Sequence, residues 1–283
     1  VSTIGALLRL ARISNLPTIW SNVLAASVLA ENVDATCLPV ILLAMSSLYT
    51  GGMFLNDAFD RDFDARHRPE RPIPAGEIAP RTVWIVGLVL LGGGIALLAL
   101  MGPRSALAGA ALAGAIVLYD AWHKRNPLSP LIMGACRALV YVGTALSLGP
   151  ALPPSVGLAA GALLLYVAGL TRAAKDGAFQ SLATSWPALL LGLPAATALT
   201  DGYNVSWLAL GLLALAICVV GYAVAQLRTG VAEGRERAVG LLIAAIALMD
   251  ALAAITHGSV SIALICVGLF FLTLVLQRYV AGT

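Results

Sequence analysis

Runs of about 20 apolar residues recur from end to end of this 283-residue chain, and they restrict its fold more than any other feature. At 1.5 Å of rise per residue, such a run matches a hydrocarbon core of about 30 Å. Backbone amides find no water at that depth, so only helices or closed barrels can cross it. The alternating apolar and polar pattern of a barrel strand is absent, which leaves helices. Composition agrees: 11% of residues are charged and 60% hydrophobic, with mean hydropathy +0.92, against about 25% and 45–50% in soluble proteins. The expected fold is all-α, a polytopic membrane bundle forming one domain over residues 1–283.

Apolar runs between polar breaks predict helices near 15–31, 37–60, 81–101, 104–120, 128–148, 155–174, 182–200, 205–227, 236–256 and 259–277, the sixth and seventh being open to an interfacial placement. With ten crossings the basic residues sort to one side. Arg9, Arg12, Arg61, Arg66, Arg68, Arg71, Arg81, Lys124, Arg125, Arg172, Lys175, Arg228, Arg235, Arg237 and Arg278 share it, and the other side holds only Arg104. Positive charge marks the cytoplasmic face, so both termini are expected there, with the first span retained rather than cleaved. Cys37, Cys136, Cys218 and Cys266 stand singly in or beside apolar runs, as small packing residues do. No nucleic-acid partner is expected.

Against this background "GGMFLNDAFDRDFDARHRPERPIPAG", from Gly51 to Gly76, concentrates the charge. If the second helix continues through it, Asn56, Asp60 and Asp64 stand at i, i+4 and i+8 on one face, with Asp57 at that face's edge. Stacked oxygen donors repel one another unless a cation lies among them. Mg²⁺ suits such a set, because it takes a few carboxylates and completes its shell with water and phosphate oxygens. The alternative is a solvated helix end in which charges of both signs pair. Arg137 stands apart, inside the fifth run, where a charge is costly and normally has a functional partner; a structural pair with Asp250 of the ninth run is the other reading.

The stretch "NDAFDRDFDARHRPERPIPAG" resembles the first aspartate-rich motif of the UbiA superfamily of intramembrane prenyltransferases, NDxxDxxxD followed by an arginine-proline segment. "RISNLPTIWSN" is similar to the family's first-helix segment and "LYDAWHKRNPLSPLIMGACRALVY" to its tyrosine-lysine-arginine segment. The resemblance implies an enzyme that transfers a prenyl group from a polyprenyl diphosphate to a small acceptor in the membrane, releasing pyrophosphate with Mg²⁺ as cofactor. It implies Asn56, Asp57, Asp60, Asp64 and Asp176 around the metal, with Asp57, Asp60 and Asp64 catalytic. Arg68, Arg71, Tyr119, Lys124, Arg125, Arg172 and Lys175 are implied for the diphosphate, and Arg12, Asn15 and Arg137 for substrate. A bacterial inner membrane with a cytoplasmic active site is the expected location.

Two departures from the family pattern stand out. The second motif, DxxxD, becomes Arg172 and Asp176 in "YVAGLTRAAKDGAFQ", so cations replace part of the metal's charge or that site is lost. Nine spans rather than ten are usual in the family. The changed motif points to a divergent branch such as the one called EboC. Rival functions are an intramembrane terpene cyclase and a prenyl-lipid binder or transporter, the latter having no need of a two-turn carboxylate stripe.

Overall fold

The computed structural model describes residues 3–124, 126–174, 185–229 and 231–280. Twelve α-helices lie within them: α1 (Thr3–Leu10), α2 (Pro17–Leu29), α3 (Leu38–His67), α4 (Pro80–Ala99), α5 (Pro103–Trp122), α6 (Ser129–Leu148), α7 (Pro154–Ala173), α8 (Pro187–Leu191), α9 (Leu193–Asp201), α10 (Trp207–Arg228), α11 (Ala232–Thr256) and α12 (Val260–Gln277). A 3₁₀ turn, Ile13–Asn15, links α1 to α2. Proline opens the first turn of each helix from α2 to α9. Its missing N–H costs nothing at that point, and its fixed φ already suits a helix.

Eight of the helices are long and apolar enough to cross a membrane. Two of the ten expected runs fall short of that. Helix α2 has 13 residues, about 20 Å of rise. The seventh run is split at Gly192 into α8 and α9, where Pro194 supplies no N–H to continue the helical bonds back into α8. Conversely α3 runs unbroken for 30 residues, about 45 Å, so its acidic last turns project past a hydrocarbon core. The continuation of the second helix through the aspartates is what the sequence spacing requires.

The bundle is assembled through small residues. A Cβ on Gly51 would stand 2.8 Å from the Gly87 carbonyl oxygen where α3 meets α4, and one on Gly134 would stand 2.3 Å from the Leu164 oxygen where α6 meets α7. Backbones this close gain dispersion contact that lipid cannot match. Helix α11 is the buried axis, with 83% of its apolar window inside. It packs with α2, α7, α9, α10 and α12 around one core. A second core joins α3, α4 and α5 to α2 and α6. Outward residues such as Leu107 and Leu264 are 72% and 66% exposed, as a lipid-facing surface requires. The four cysteines are free.

Candidate active site

Between the two cores lies a chamber of about 680 Å³, walled by α2, α3, α5, α6, α7 and α11. Its polar end is built by the last turns of α3 and the segments that follow α3 and α5. Asn56, Asp60 and Asp64 all line it, together with Arg68, Arg71, Tyr119, Asp120, His123 and Lys124. Further in, the walls become apolar: Met45, Leu112 and Ile116 face Val140, Val167 and Ile246. Asp62, by contrast, has an 82% exposed side chain on the opposite face of α3, as a 3.6-residue period dictates.

The carboxylates are held by cations from neighbouring segments. Asp57 lies 2.8 Å from Arg71 and 3.2 Å from Arg12. Asp64 is 3.3 Å from the same Arg71, and Asp60 is 2.7 Å from Lys124 and 3.5 Å from His123. Lys124 also sits over the Phe63 ring, 4.2 Å from its centroid, a cation–π contact. The charge repulsion inherent in the stripe is therefore relieved in part by the protein's own side chains. Arg12 reaches Asn56 Oδ1 at 3.0 Å from a left-handed backbone, φ 41°, strain of the kind that collects at functional sites. Tyr49 donates to the Arg12 carbonyl at 3.1 Å.

Two of these groups lie beyond the helical spans, and the site shifts both. The bond to Asp60 raises the pKa of the His123 imidazole, with burial opposing it. Burial lowers the pKa of Arg71, with Asp57 opposing it; a guanidinium stays protonated regardless.

One acid of the chamber wall was missed from sequence. Asp120, on α5, is buried; its Oδ1 accepts from Asn56 Nδ2 at 3.0 Å, and its Oδ2 has no hydrogen-bond partner among the described residues. A carboxylate near the end of an apolar span was the available signal, overlooked between Tyr119 and Lys124. The orphaned oxygen bears on whether Mg²⁺ fits. Among the described residues no three acidic or thiol or imidazole groups are already gathered for a metal. Mg²⁺ nevertheless needs only one or two carboxylates when phosphate and water complete its shell. An all-oxygen donor set of Asn56, Asp60, Asp64 and Asp120, one oxygen of it unsatisfied, fits that ion.

The remaining expected residues are placed as follows. Asn15 lines the chamber and accepts from Gln277 at 3.2 Å. Arg172 follows Thr171 on α7, and Thr171 rather than Arg172 is among the described lining residues. Arg125, Lys175 and Asp176 lie outside the described residues. Arg137 lines the chamber, but the direct pair with Asp250 considered from sequence is not formed. Asn22 stands between them, accepting from Arg137 and donating to Asp250, each at 2.8 Å. Tyr119 stacks on His123 with ring centroids 4.9 Å apart.

Known proteins resemble the chain in both sequence and fold. The model of the UbiA prenyltransferase family matches residues 14–180, more than half of the chain. A digeranylgeranylglyceryl phosphate synthase of Methanopyrus kandleri is 31% identical over 147 residues, 50% of each chain. A protoheme IX farnesyltransferase of Alkalihalophilus pseudofirmus is 33% identical over 163 residues, 54% of this chain and 48% of that one. The chain thus spans at most about half the length of these curated relatives. Among solved structures, a digeranylgeranylglyceryl phosphate synthase shares the fold with TM-score 0.65 and 18% identity over 91% of this chain and 99% of that one. A UbiA homologue of Archaeoglobus fulgidus bound to GPP and Mg²⁺ does so with TM-score 0.52 and 18% identity over 97% of each chain. From the Arg12–Asn15 turn through the α3 aspartates to the end of α7, the sequence and the helical architecture lead to one assignment: this chain belongs to the UbiA prenyltransferase family.

Proposed function

We propose that the protein transfers a prenyl group from a polyprenyl diphosphate to a small acceptor within the membrane, releasing pyrophosphate. The observation that carries this reading is the chamber's polarity gradient. A ring of carboxylates and cations stands at one end, and apolar walls run inward from it along six helices. That shape takes a phosphorylated head at the polar end and an isoprenoid tail in the apolar part, a division of labour a soluble-substrate site has no use for.

The carbon–oxygen bond of the prenyl diphosphate breaks and its electron pair leaves with pyrophosphate. An electron-rich atom of the acceptor bonds to the freed carbon, and the acceptor loses a proton. Lys124, Arg68 and Arg71 stabilise the negative charge that grows on the departing group, most effectively where water is scarce. Asn56, Asp60, Asp64 and Asp120 would hold Mg²⁺, which would supply the additional positive charge that a leaving diphosphate requires. Asp57, turned toward Arg12 and Arg71, holds those arginines in place. The apolar inner wall keeps water from the freed carbon. Relatives named for digeranylgeranylglyceryl phosphate synthesis and for protoheme IX farnesyl transfer, and the homologue bound to GPP and Mg²⁺, support the reaction class.

The loop charges support a ten-crossing arrangement with the polar end of the chamber and both termini in the cytoplasm, α2 and the α8–α9 pair completing the crossings. A bacterial inner membrane suits that orientation. The test is pyrophosphate release by the purified chain in detergent, from labelled prenyl diphosphates of several lengths. Release that depends on Mg²⁺ and stops with a chelator is expected. No release at any length, with diphosphate binding intact, would leave a prenyl-lipid binder in its place.

A further inference from the structure

Gln277, the last residue of α12, is not part of the chamber lining but holds a residue that is. Its Nε2 donates to Asn15 Oδ1 at 3.2 Å and to the Gly240 carbonyl of α11 at 3.1 Å. A Cβ on Gly240 would stand 3.0 Å from Gln277 Oε1, so the bare glycine leaves a notch in α11 that seats the carboxamide. Asn15 closes the 3₁₀ turn Ile13–Asn15, and the residue that opens this turn is the left-handed Arg12. The family model matches residues 14–180, and Gln277 lies well beyond them.

From Gln277 the hydrogen bonds run in one direction. The Asn15 oxygen is taken by Gln277, and the Asn15 side chain is also hydrogen-bonded to the Tyr49 hydroxyl, so its amide nitrogen is the donor there. Tyr49 keeps its own proton for the Arg12 carbonyl, at 3.1 Å. Arg12 in turn donates to Asn56 Oδ1 at 3.0 Å and to Asp57 Oδ1 at 3.2 Å, and Asn56 Nδ2 donates to Asp120. A guanidinium only donates and a carboxylate only accepts, so the Asn56 carboxamide between them has one orientation. Donors aligned along a chain polarise one another. The Arg12 link is the sensitive one. Its backbone, φ 41° and ψ 50°, is a conformation that a residue with a side chain keeps only when its neighbours enforce it. Those neighbours are the Tyr49 hydroxyl and the Asn15 N–H, 3.0 Å from the same carbonyl.

We propose that Gln277 is a positioning residue for the diphosphate end of the chamber: through Asn15 and Tyr49 it holds the left-handed turn that aims Arg12 at Asn56 and Asp57. Its part in turnover rests on the transfer reading; its part in binding a magnesium-bound diphosphate head does not. Two substitutions separate aim from packing. Gln277→Leu removes the donor without adding charge. Gln277→Glu keeps the size but offers oxygens only. Asn15 then turns its nitrogen toward position 277 and its oxygen toward Tyr49, and Tyr49 gives its proton to Asn15 instead of to the Arg12 carbonyl.

The test is calorimetric titration of the purified full chain in detergent with inorganic pyrophosphate, with and without Mg²⁺, and thermal unfolding measured beside it. Gln277→Leu and Gln277→Glu should each weaken Mg²⁺-dependent pyrophosphate binding about tenfold, as the loss of an outer partner of a metal site does. Tyr49→Phe should reproduce that loss. Combining Gln277→Leu with Tyr49→Phe should weaken binding no further, because both cut the same chain. Thr273→Ala, one turn earlier on α12, removes a buried hydroxyl that bonds within its own helix; it should lower the melting temperature and leave binding unchanged. Any of the three single variants in the chain binding like the parent, losses that multiply in the double variant, an equal loss in Thr273→Ala, or a parent that binds no pyrophosphate with Mg²⁺ would overturn the proposal. A parent that binds it yet releases none from any prenyl diphosphate would defeat the transfer reading and leave this role standing.

Discussion

Asp57→Ala and Asp60→Ala, three positions apart on one helix, should fail in opposite ways. The Asp57 side chain is 7% exposed and lies within 3.2 Å of Arg12 and 2.8 Å of Arg71, themselves 20% and 15% exposed. Removing it strands two inward cations, one left with Asn56 and the other with Asp64 at 3.3 Å. Breaking a buried pair on one side costs about 3–5 kcal/mol; the partial exposure of the arginines favours the lower end, about 3 kcal/mol. At roughly 2–4 °C per kcal/mol for a large domain, the melting temperature should fall by about 6–12 °C. Asp60 pairs with a Lys124 that is 35% exposed, a contact of about 1 kcal/mol or less. Its loss should move the melting point by no more than about 4 °C while pyrophosphate release drops by about 100-fold or more, beyond the 10–100-fold typical of a metal site's outer partners. Thermal unfolding in detergent, run beside the release assay at a temperature where both variants are folded, separates the two effects. An Asp57→Ala protein melting within about 2 °C of the parent, or an Asp60→Ala protein whose activity loss only follows its unfolding, would refute this division.

Asp62→Ala, on the solvent face, should match the parent in release rate and lie within about 0.5 kcal/mol of it in stability. Asp120→Asn keeps an oxygen for Asn56 but removes the buried carboxyl oxygen that lacks a partner among the described residues. It should melt no lower than the parent, yet need roughly tenfold more Mg²⁺ for half-maximal release, and an unchanged Mg²⁺ titration would remove Asp120 from the metal site. Gly134→Ala, whose Cβ would meet the Leu164 carbonyl at 2.3 Å, should cost about 1–3 kcal/mol by pushing α6 from α7. Gly92→Ala has open space around it and should be neutral or gain up to about 1 kcal/mol from helix propensity; equal melting shifts for the two glycines would contradict the packing account.

What could be read in the sequence was whatever one helix decides for itself. The period of 3.6 placed Asn56, Asp60 and Asp64 on the face that lines the chamber and Asp62 on the other. Hydropathy located every long span, since each apolar run is contiguous. It did not foresee the break within the seventh run, because a hydropathy window averages over Pro187 and Pro194, whereas the backbone responds to each singly. Relations between helices were harder. That Arg71 bonds to Asp57 as well as Asp64 depends on how the segment after α3 folds back. That Asn22 separates Arg137 from Asp250 depends on three helices 115 and 228 positions apart in sequence. Asp120 was passed over for the same reason, since its meaning lies in facing Asn56 across 64 positions.

The distribution of committed and uncommitted charge explains why so polar a cluster sits at the end of an apolar helix. Arg12, Arg71 and Lys124 each already hold a carboxylate, so part of their charge is committed before a diphosphate arrives. Among the described cations of the chamber wall, Arg68 and Arg137 have no carboxylate within ion-pair distance. Arg68, exposed at the rim beside Asp64, is placed to meet the phosphorylated head first. One guanidinium cannot balance two phosphoryl groups. The rest of the positive charge has to come with the substrate, as hard divalent ions suited to Asp60, Asp64 and the unsatisfied oxygen of Asp120.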